Sequence, residues 1–283
     1  MNRLGNWRAE PPAVSLRPMR LPSPLIALAF AAGLGIGASG CAARAVSSPV
    51  VAAAVTDMNE GHEEQHLASV GQPLDPSTAP AVRYGAMDKA TCEAELGRRA
   101  IPFSSVPEAL GVLAPVRVNG PLHGVLYRFT LPAAQRATSV YEVIDCRLVL
   151  ALDDFAQILV RYDVVEVVHL SAWRPPSAKR WPEGKLGTRH PGALAMDMAV
   201  FRRKDGTELS VLKDFHGAIG AHTCGPATGP RPKTAEADAL RGIVCEAADA
   251  RLFNVALTPD YNRAHKNHFH LEVTPHVKWF VTH

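Results

Sequence analysis

Side chains that can bind a metal ion or transfer protons lie in two short runs of the sequence. They are His190, Asp197, His265, His268 and His270. Imidazole nitrogens and carboxylate oxygens are common protein ligands of zinc, and three such ligands leave a fourth position for a water molecule. Because zinc lowers the pKa of its bound water towards about 7, this composition indicates a hydrolytic metal centre.

The second run has the alternation of a β-strand. Phe269, Leu271 and Val273 alternate with polar residues that include His268 and His270. Successive side chains of a strand point to opposite faces, so the apolar set predicts a buried face and the two histidines share the other one. We therefore expect both histidines to reach one site.

The first run combines a loop with the start of a predicted strand over 196–201. His190 lies between Gly187 and Pro191, and this loop can fold the imidazole back towards Asp197. Each residue also has a structural interpretation, because a lone histidine in a strand usually forms a hydrogen bond and an aspartate beside a loop often caps a turn. The combination of the two runs favours the metal site.

The elements that must position these side chains predict an α+β domain over 88–283. Residues 146–162 place apolar side chains on one helical face, and a second helix is expected over 234–248. Short β-rich runs predict strands over 124–131, 164–173, 196–201, 253–258 and 268–273. Strands and helices do not alternate regularly, so we expect a single small antiparallel-rich sheet with packed helices.

The first 40 residues have the layout of a bacterial export signal. Four arginines precede an apolar, glycine-rich stretch over 25–38, which is too short for a comfortable membrane span. It ends in the sequence ASGC, which resembles a lipobox, and this ending makes Cys41 the expected lipid acceptor. We expect export to the cell envelope as a periplasm-facing lipoprotein, held to the membrane by its N-terminal lipid. Simple cleavage, giving a soluble secreted protein, is the alternative.

A flexible tether is predicted over 41–87. It is rich in Ala, Ser, Val, Pro and Gly, and the helical spacing of His62 and His66 is better explained by a solvated polar face than by a metal site. The net charge of +3 arises wholly from the leader, whose four arginines face Glu10 alone. The remaining chain is balanced in charge, so nothing in it predicts binding to nucleic acid.

Four cysteines remain once Cys41 is assigned to lipid: Cys92, Cys146, Cys224 and Cys245. An even number in an exported chain predicts two disulfides. Three pairings are open, of which we favour Cys92 with Cys146 and Cys224 with Cys245. Zinc ligation by these cysteines is the competing interpretation, but no CxxC pair supports it.

The spacing H-x6-D, followed far downstream by H-x-H, resembles that of the LAS group of zinc peptidases. This group includes murein endopeptidases, D-alanyl-D-alanine carboxypeptidases and the metal-binding domain of Hedgehog. The chain more closely resembles the bacterial extensin-like C-terminal domain family. The matching stretches are TRHPGALAMDMAVF, KDGTELSVLKDF and LTPDYNRAHKNHFHLEV.

The resemblance implies a LAS/Hedgehog-like zinc peptidase fold and a set of zinc ligands. Carried over by position, the ligands are His190, Asp197 and His270. The implied activity is a zinc metallopeptidase or amidase that hydrolyses an amide bond in peptidoglycan stem peptides. Two alternatives stay open: a non-catalytic cell-wall binding module that contains zinc, and a structural lipoprotein that binds no metal.

The resemblance also implies catalytic roles around those ligands. His268 would act as general base, and His265 would support the oxyanion or orient the water. Arg174 would stabilise the transition state or hold a substrate carboxylate, although its place before Pro175 equally fits a solvated turn residue. Asn267 replaces the aspartate of the family pattern, which removes one negative charge beside the histidines.

Overall fold

The computed structural model describes residues 75–225, 228–229 and 231–283. The predicted signal over 1–40, the lipid acceptor Cys41 and the tether before residue 75 lie outside the described residues. Within the described ranges, no helix combines the length and the apolar character that crossing a membrane requires.

Helices and short strands alternate irregularly along the described chain. The helices are α1 (Pro80–Gly85), α2 (Lys89–Arg98), α3 (Ala133–Arg136), α4 (Cys146–Arg161), α5 (Val211–Asp214) and α6 (Ala235–Asp249). The strands are β1 (Phe103–Ser105), β2 (Pro115–Val118), β3 (Leu126–Phe129), β4 (Ile144–Asp145), β5 (Val164–Ser171), β6 (Ala195–Arg203), β7 (Glu208–Ser210), β8 (Val255–Leu257), β9 (Phe269–Glu272) and β10 (Val281–Thr282). Single 3-10 turns lie at Pro76–Thr78, Val140–Glu142, His190–Gly192 and Arg263–His265.

These strands form two sheets, so the expectation of a single sheet is wrong. The larger sheet has the order β10-β8-β9-β6-β5-β3, with β7 also paired to β6, and the smaller has the order β1-β2-β4. In the larger sheet four strand pairs are antiparallel and two, β3 with β5 and β8 with β10, are parallel. The smaller sheet escaped prediction because its strands have only two to four residues each, too few to show a period.

The mixed helix and strand content agrees with the predicted α+β class. The five predicted strands correspond to β3, β5, β6, β8 and β9, and the two predicted helices to α4 and α6. Folded structure begins earlier than the predicted boundary at residue 88, because α1 lies within the predicted tether. Tyr84 on α1 is buried, and its hydroxyl accepts a hydrogen bond of 2.7 Å from Arg99 Nη2.

Helix α4 is the centre of the core. Asp145 caps its first turn by accepting the Arg147 amide at 3.0 Å, and the Arg147 guanidinium pairs with the same carboxylate. The predicted apolar face is fully buried and comprises Leu148, Leu152, Phe155 and Leu159. Burial extends beyond that face because α1, α2, α6 and β5 all contact the helix. Helix α4 therefore packs against the larger sheet through its contact with β5.

The polar and apolar faces of β9 follow the predicted alternation. Phe269, Leu271 and Val273 are fully buried, whereas the opposite face carries His270. Strand β6 is the antiparallel neighbour of β9, and its Asp197 is the register partner of His270. Hydrophobic packing on one face of the sheet thus fixes two candidate ligands side by side on the other.

Both predicted disulfides are present. Cys92 on α2 pairs with Cys146, the first residue of α4, and Cys224 pairs with Cys245 on α6. The sequence separations are 54 and 21 residues. A cross-link over the longer separation removes more conformational freedom from the unfolded chain.

Replacing Cys92 and Cys146 together by serine is expected to lower the free energy of unfolding by about 4 kcal/mol. The matched double replacement of Cys224 and Cys245 is expected to cost less, about 3 kcal/mol, because its loop is shorter. Urea unfolding without reductant measures both. A larger loss for the second pair would contradict the expected order.

Candidate metal centre

Three polar side chains converge at the junction of β6, β9 and the loop before β6. Asp197 Oδ1 lies 3.2 Å from His190 Nε2 and 3.0 Å from His270 Nδ1. One potential ligand atom from each residue lies within 4.8 Å of the other two. His190, Asp197 and His270, predicted as ligands from the sequence, are therefore gathered at one candidate metal site.

Each of the two histidines is oriented by a partner on its other ring nitrogen. His190 Nδ1 donates to the carbonyl oxygen of Ala172 at 2.8 Å, so Nε2 is the ring nitrogen that faces Asp197. His270 Nε2 lies 3.2 Å from Glu272 Oε2, so its Nδ1 faces Asp197. Such carbonyl and carboxylate partners are typical of histidines that bind metals, because they fix the tautomer and the ring orientation.

The two oxygens of Asp197 face different partners. Oδ2 accepts a hydrogen bond from Ser171 Oγ at 2.8 Å and another from Arg174 Nη2. Arg174 Nη2 also donates to Ser171 Oγ at 2.8 Å, which ties the three side chains together. Oδ1 faces His190 and His270. Two imidazole nitrogens and one carboxylate oxygen form a donor set that fits zinc.

The two further histidines of the second run complete the cluster. His268 Nδ1 lies 2.9 Å from Asn267 Oδ1, and its Nε2 lies 3.4 Å from Asp197 Oδ1. His265 Nδ1 lies 2.8 Å from Asn262 Oδ1, and its ring centroid lies 5.2 Å from that of His268. Both side-chain amides accept from Nδ1, so each Nε2 carries a free lone pair. Asn267 therefore still orients a histidine, although it lacks the charge of an aspartate.

Burial and hydrogen bonding shift the pKa values of these groups in different directions. Burial opposes ionisation of Asp197, yet hydrogen bonds from two histidines outweigh it and hold the pKa of this carboxyl well below its usual range. Burial also acts to lower the pKa of His270, but Asp197 and Glu272 reverse the effect and raise it. Burial lowers the pKa of His268 to about 4 and also lowers the pKa of His265. Both are neutral at pH 7 and able to accept a proton.

The loop that carries His190 has an unusual backbone. Arg189 adopts φ 53° and ψ −140°, and Ala193 adopts φ 52°, in a region that L-residues rarely occupy. Gly187 and Gly192 pack so closely that a Cβ on Gly192 would lie 2.2 Å from the carbonyl oxygen of Gly187. The loop is further held by the amide of Asp145, which donates to the Ala193 carbonyl oxygen at 3.0 Å.

An open cleft of about 560 Å³ lies over the cluster. Its lining residues are Arg174, Arg189, His190, Pro191, Asp197, Ala264, His265, His268 and His270. All six residues predicted as ligands or catalytic groups therefore face one cavity, including Arg174, whose side chain is 56% exposed. Arg174 also contacts Asp197, a contact that the alternative prediction of a solvated turn residue did not include.

Several residues of the site were not predicted from the sequence. Ser171, Glu272 and Asn262 orient the candidate ligands and bases, and Arg189 lines the cleft. The sequence did contain a signal for Glu272, because this residue continues the polar face of β9 after His268 and His270. The roles of the other three depend on the geometry of a β-bulge at Ser171 and of the turns and loops at Asn262 and Arg189, which the sequence pattern does not give.

Gly192→Ala is expected to lower the free energy of unfolding by about 1–3 kcal/mol, because the new methyl group would force two backbone segments apart. Gly97→Ala is the matched control: beyond the local backbone of α2, no heavy atom lies within 4 Å of its Cβ position, and alanine favours a helix. Urea unfolding of both variants measures the difference. Equal stability of the two would show that the contact between Gly187 and Gly192 does not constrain the loop.

Comparison with known proteins places this site within a sequence family. The family described as extensin-like protein C-terminus matches residues 91–282, which is more than half of the 283-residue chain. The match includes all six predicted ligands and catalytic residues. No curated protein and no solved structure matches the chain. The chain therefore belongs to the extensin-like family, and residues 91–282 form its extensin-like C-terminal domain.

Proposed function

We propose that this protein is a zinc-dependent hydrolase that cleaves an amide bond in peptidoglycan peptides at the cell envelope. The observation that carries the proposal is the convergence of His190 Nε2, Asp197 Oδ1 and His270 Nδ1. Each of these atoms faces the site because the other polar atom of the same side chain is held by a separate partner. Orientation of this kind is characteristic of metal ligands.

Zinc, when bound by these residues, supplies a Lewis acid that polarises a carbonyl oxygen and acidifies a water molecule. The chain itself supplies the proton acceptor. His268 Nε2 is unprotonated and lies 3.4 Å from Asp197 Oδ1, so it can take a proton from the attacking water and return it to the leaving amine. His265, held by Asn262, presents its Nε2 to the same cleft and orients the water or the developing oxyanion.

The charges in the cleft favour an acidic peptide as substrate. Two arginines, Arg174 and Arg189, line the cleft, and Asp197 is the one carboxylate among the lining residues. Arg189 is 72% exposed, and its closest charged partner in the described chain is Glu272, at 3.6 Å from Nε to Oε2. Its guanidinium can therefore receive a carboxylate, and peptidoglycan stem peptides carry several.

The same proposal includes a location at the cell envelope and a relationship to the LAS zinc peptidases. The leader and Cys41 support an exported lipoprotein, held by its N-terminal lipid and facing the periplasm. The order and spacing of His190, Asp197 and His270 support a relationship to the LAS zinc peptidases. Peptidoglycan stem peptides are the partner that both features suggest.

A non-catalytic zinc-containing module is the second candidate, and one distance favours it. His268 Nε2 lies 3.4 Å from Asp197 Oδ1, so a movement of the ring could make it a fourth ligand. Four protein ligands would close the site, as in structural zinc centres, and would leave no position for water. The two candidates differ in what happens to zinc when His268 is removed.

Asp197→Asn and His190→Ala are each expected to lower zinc affinity by about a hundredfold or more, because each removes one of three protein ligands. His222→Ala is the matched control, since His222 is exposed and does not line the cleft. Elemental analysis and competition with a chromogenic chelator measure zinc content and affinity. Full zinc occupancy in both ligand variants would eliminate the proposed site.

His268→Ala is expected to lower hydrolysis about 10²–10⁴-fold while one zinc per chain is retained, because only the general base is lost. Release of peptides from purified cell walls and from stem-peptide libraries measures activity, and elemental analysis measures zinc. Loss of zinc from this variant, together with an inactive wild-type protein, would instead support the structural module.

A further inference from the structure

A second pocket, which shares no lining residue with the cleft over the candidate metal centre, concentrates positive charge. It measures about 330 Å³ and lies between β2, β3 and α3. Three arginines line it, one from each of these elements: Arg117, Arg128 and Arg136. Glu142 is the one acidic residue among the lining residues. The lining of this pocket therefore carries an excess of two positive charges.

Two of the three guanidinium groups have unsatisfied hydrogen-bond donors. Arg117 Nη1 and Arg128 Nε are shielded from solvent and have no hydrogen-bond partner. The Arg117 guanidinium makes no hydrogen bond or ion pair with any other residue in the described part of the chain. Buried polar groups in folded proteins are nearly always paired, so unpaired donors of this kind indicate a missing acceptor.

The carboxylates near the pocket are already engaged. Glu142 Oε1 accepts the amide of Phe129 at 2.9 Å and lies 3.9 Å from Arg136 Nε. Glu166 pairs with Arg128 and also accepts from Arg202 Nη1 at 2.6 Å. Neither carboxylate contacts Arg117 within ion-pair distance. Glu142 therefore acts on Arg117 only from beyond ion-pair distance, and no carboxylate in the described part of the chain pairs directly with the Arg117 guanidinium.

Arg128 lies close to other positively charged side chains. Burial lowers the pKa of its guanidinium, and the nearby positive charges of Arg136 and Arg202 lower it further. An anion placed among the three lining arginines would relieve this repulsion. Guanidinium groups also match the geometry of oxyanions, because they offer pairs of parallel N–H donors.

We propose that this pocket binds a phosphate group. The excess of two positive charges among the lining residues matches a phosphate monoester or inorganic phosphate, which carries about −1.5 to −2 at pH 7. A single carboxylate would neutralise only half of that excess. The site is separate from the candidate metal centre, so this inference does not depend on the proposed hydrolysis.

Calorimetric titration of the mature protein tests the proposal, after removal of metal by chelation and dialysis so that phosphate cannot bind at the metal centre. The probes are inorganic phosphate, glycerol 3-phosphate and acetate at constant ionic strength. Inorganic phosphate is expected to bind at least about tenfold more tightly than acetate. Equal binding of glycerol 3-phosphate would show that the pocket accepts a phosphate monoester, and binding of inorganic phosphate alone would show that it accepts only the free ion.

Arg117→Gln is expected to weaken phosphate binding about tenfold or more, because it removes a charged donor. Arg117→Lys retains the charge and is expected to recover part of that loss. Arg180→Gln is the matched control, since Arg180 is exposed and lies outside the pocket. The thermal midpoint without phosphate checks that each variant is folded. Unchanged binding in folded Arg117→Gln, or acetate binding as tight as phosphate, would overturn the proposal.

Discussion

The buried carboxylate of Asp197 is the constraint on which the candidate site depends. A charge with 1% of its surface exposed is stable only when charges and hydrogen bonds surround it. Three histidines approach one oxygen, and Ser171 and Arg174 approach the other. The need to compensate one charge therefore brings together side chains from β5, β6, β9 and a loop.

Packing on the opposite side of the sheet makes this arrangement rigid. Helix α4 is buried against other helices and β5, while Phe269 and Leu271 of β9 are fully buried. Because a shift of one residue along β9 would turn these apolar side chains outward, the register that pairs Asp197 with His270 is strongly favoured. The hydrophobic core thus specifies the geometry of a polar cluster that it does not contain.

The sequence predicted those parts of the fold that repeat a pattern over several residues. The alternation around His270 identified β9 and its two faces, and the spacing of Leu148, Leu152 and Phe155 identified α4. The smaller sheet, β7 and β10 were missed because their strands are too short for a period. Helices α1, α2, α3 and α5 were also missed: the alanine and proline content of α1 resembles that of the preceding tether, and α3 and α5 have only four residues each.

The sequence predicted which side chains of ligand type converge, but it did not predict the residues that orient them. The histidines and Asp197 stand in a recognisable spacing, whereas Ser171 and Asn262 act through a β-bulge or turn that only the folded chain creates. The contact between Gly187 and Gly192 has the same character. Such contacts follow from the detailed backbone geometry of bulges, turns and loops, which periodic sequence patterns do not encode.

The hydrogen bond between Asp145 and the loop that carries His190 connects the Cys92–Cys146 disulfide to this site. Asp145 precedes Cys146, which is covalently joined to Cys92 on α2, and its amide holds the carbonyl oxygen of Ala193. The disulfide therefore fixes the residue next to the loop's attachment point. The covalent link between α2 and α4 thus ends one residue from the backbone hydrogen bond that holds the loop carrying His190.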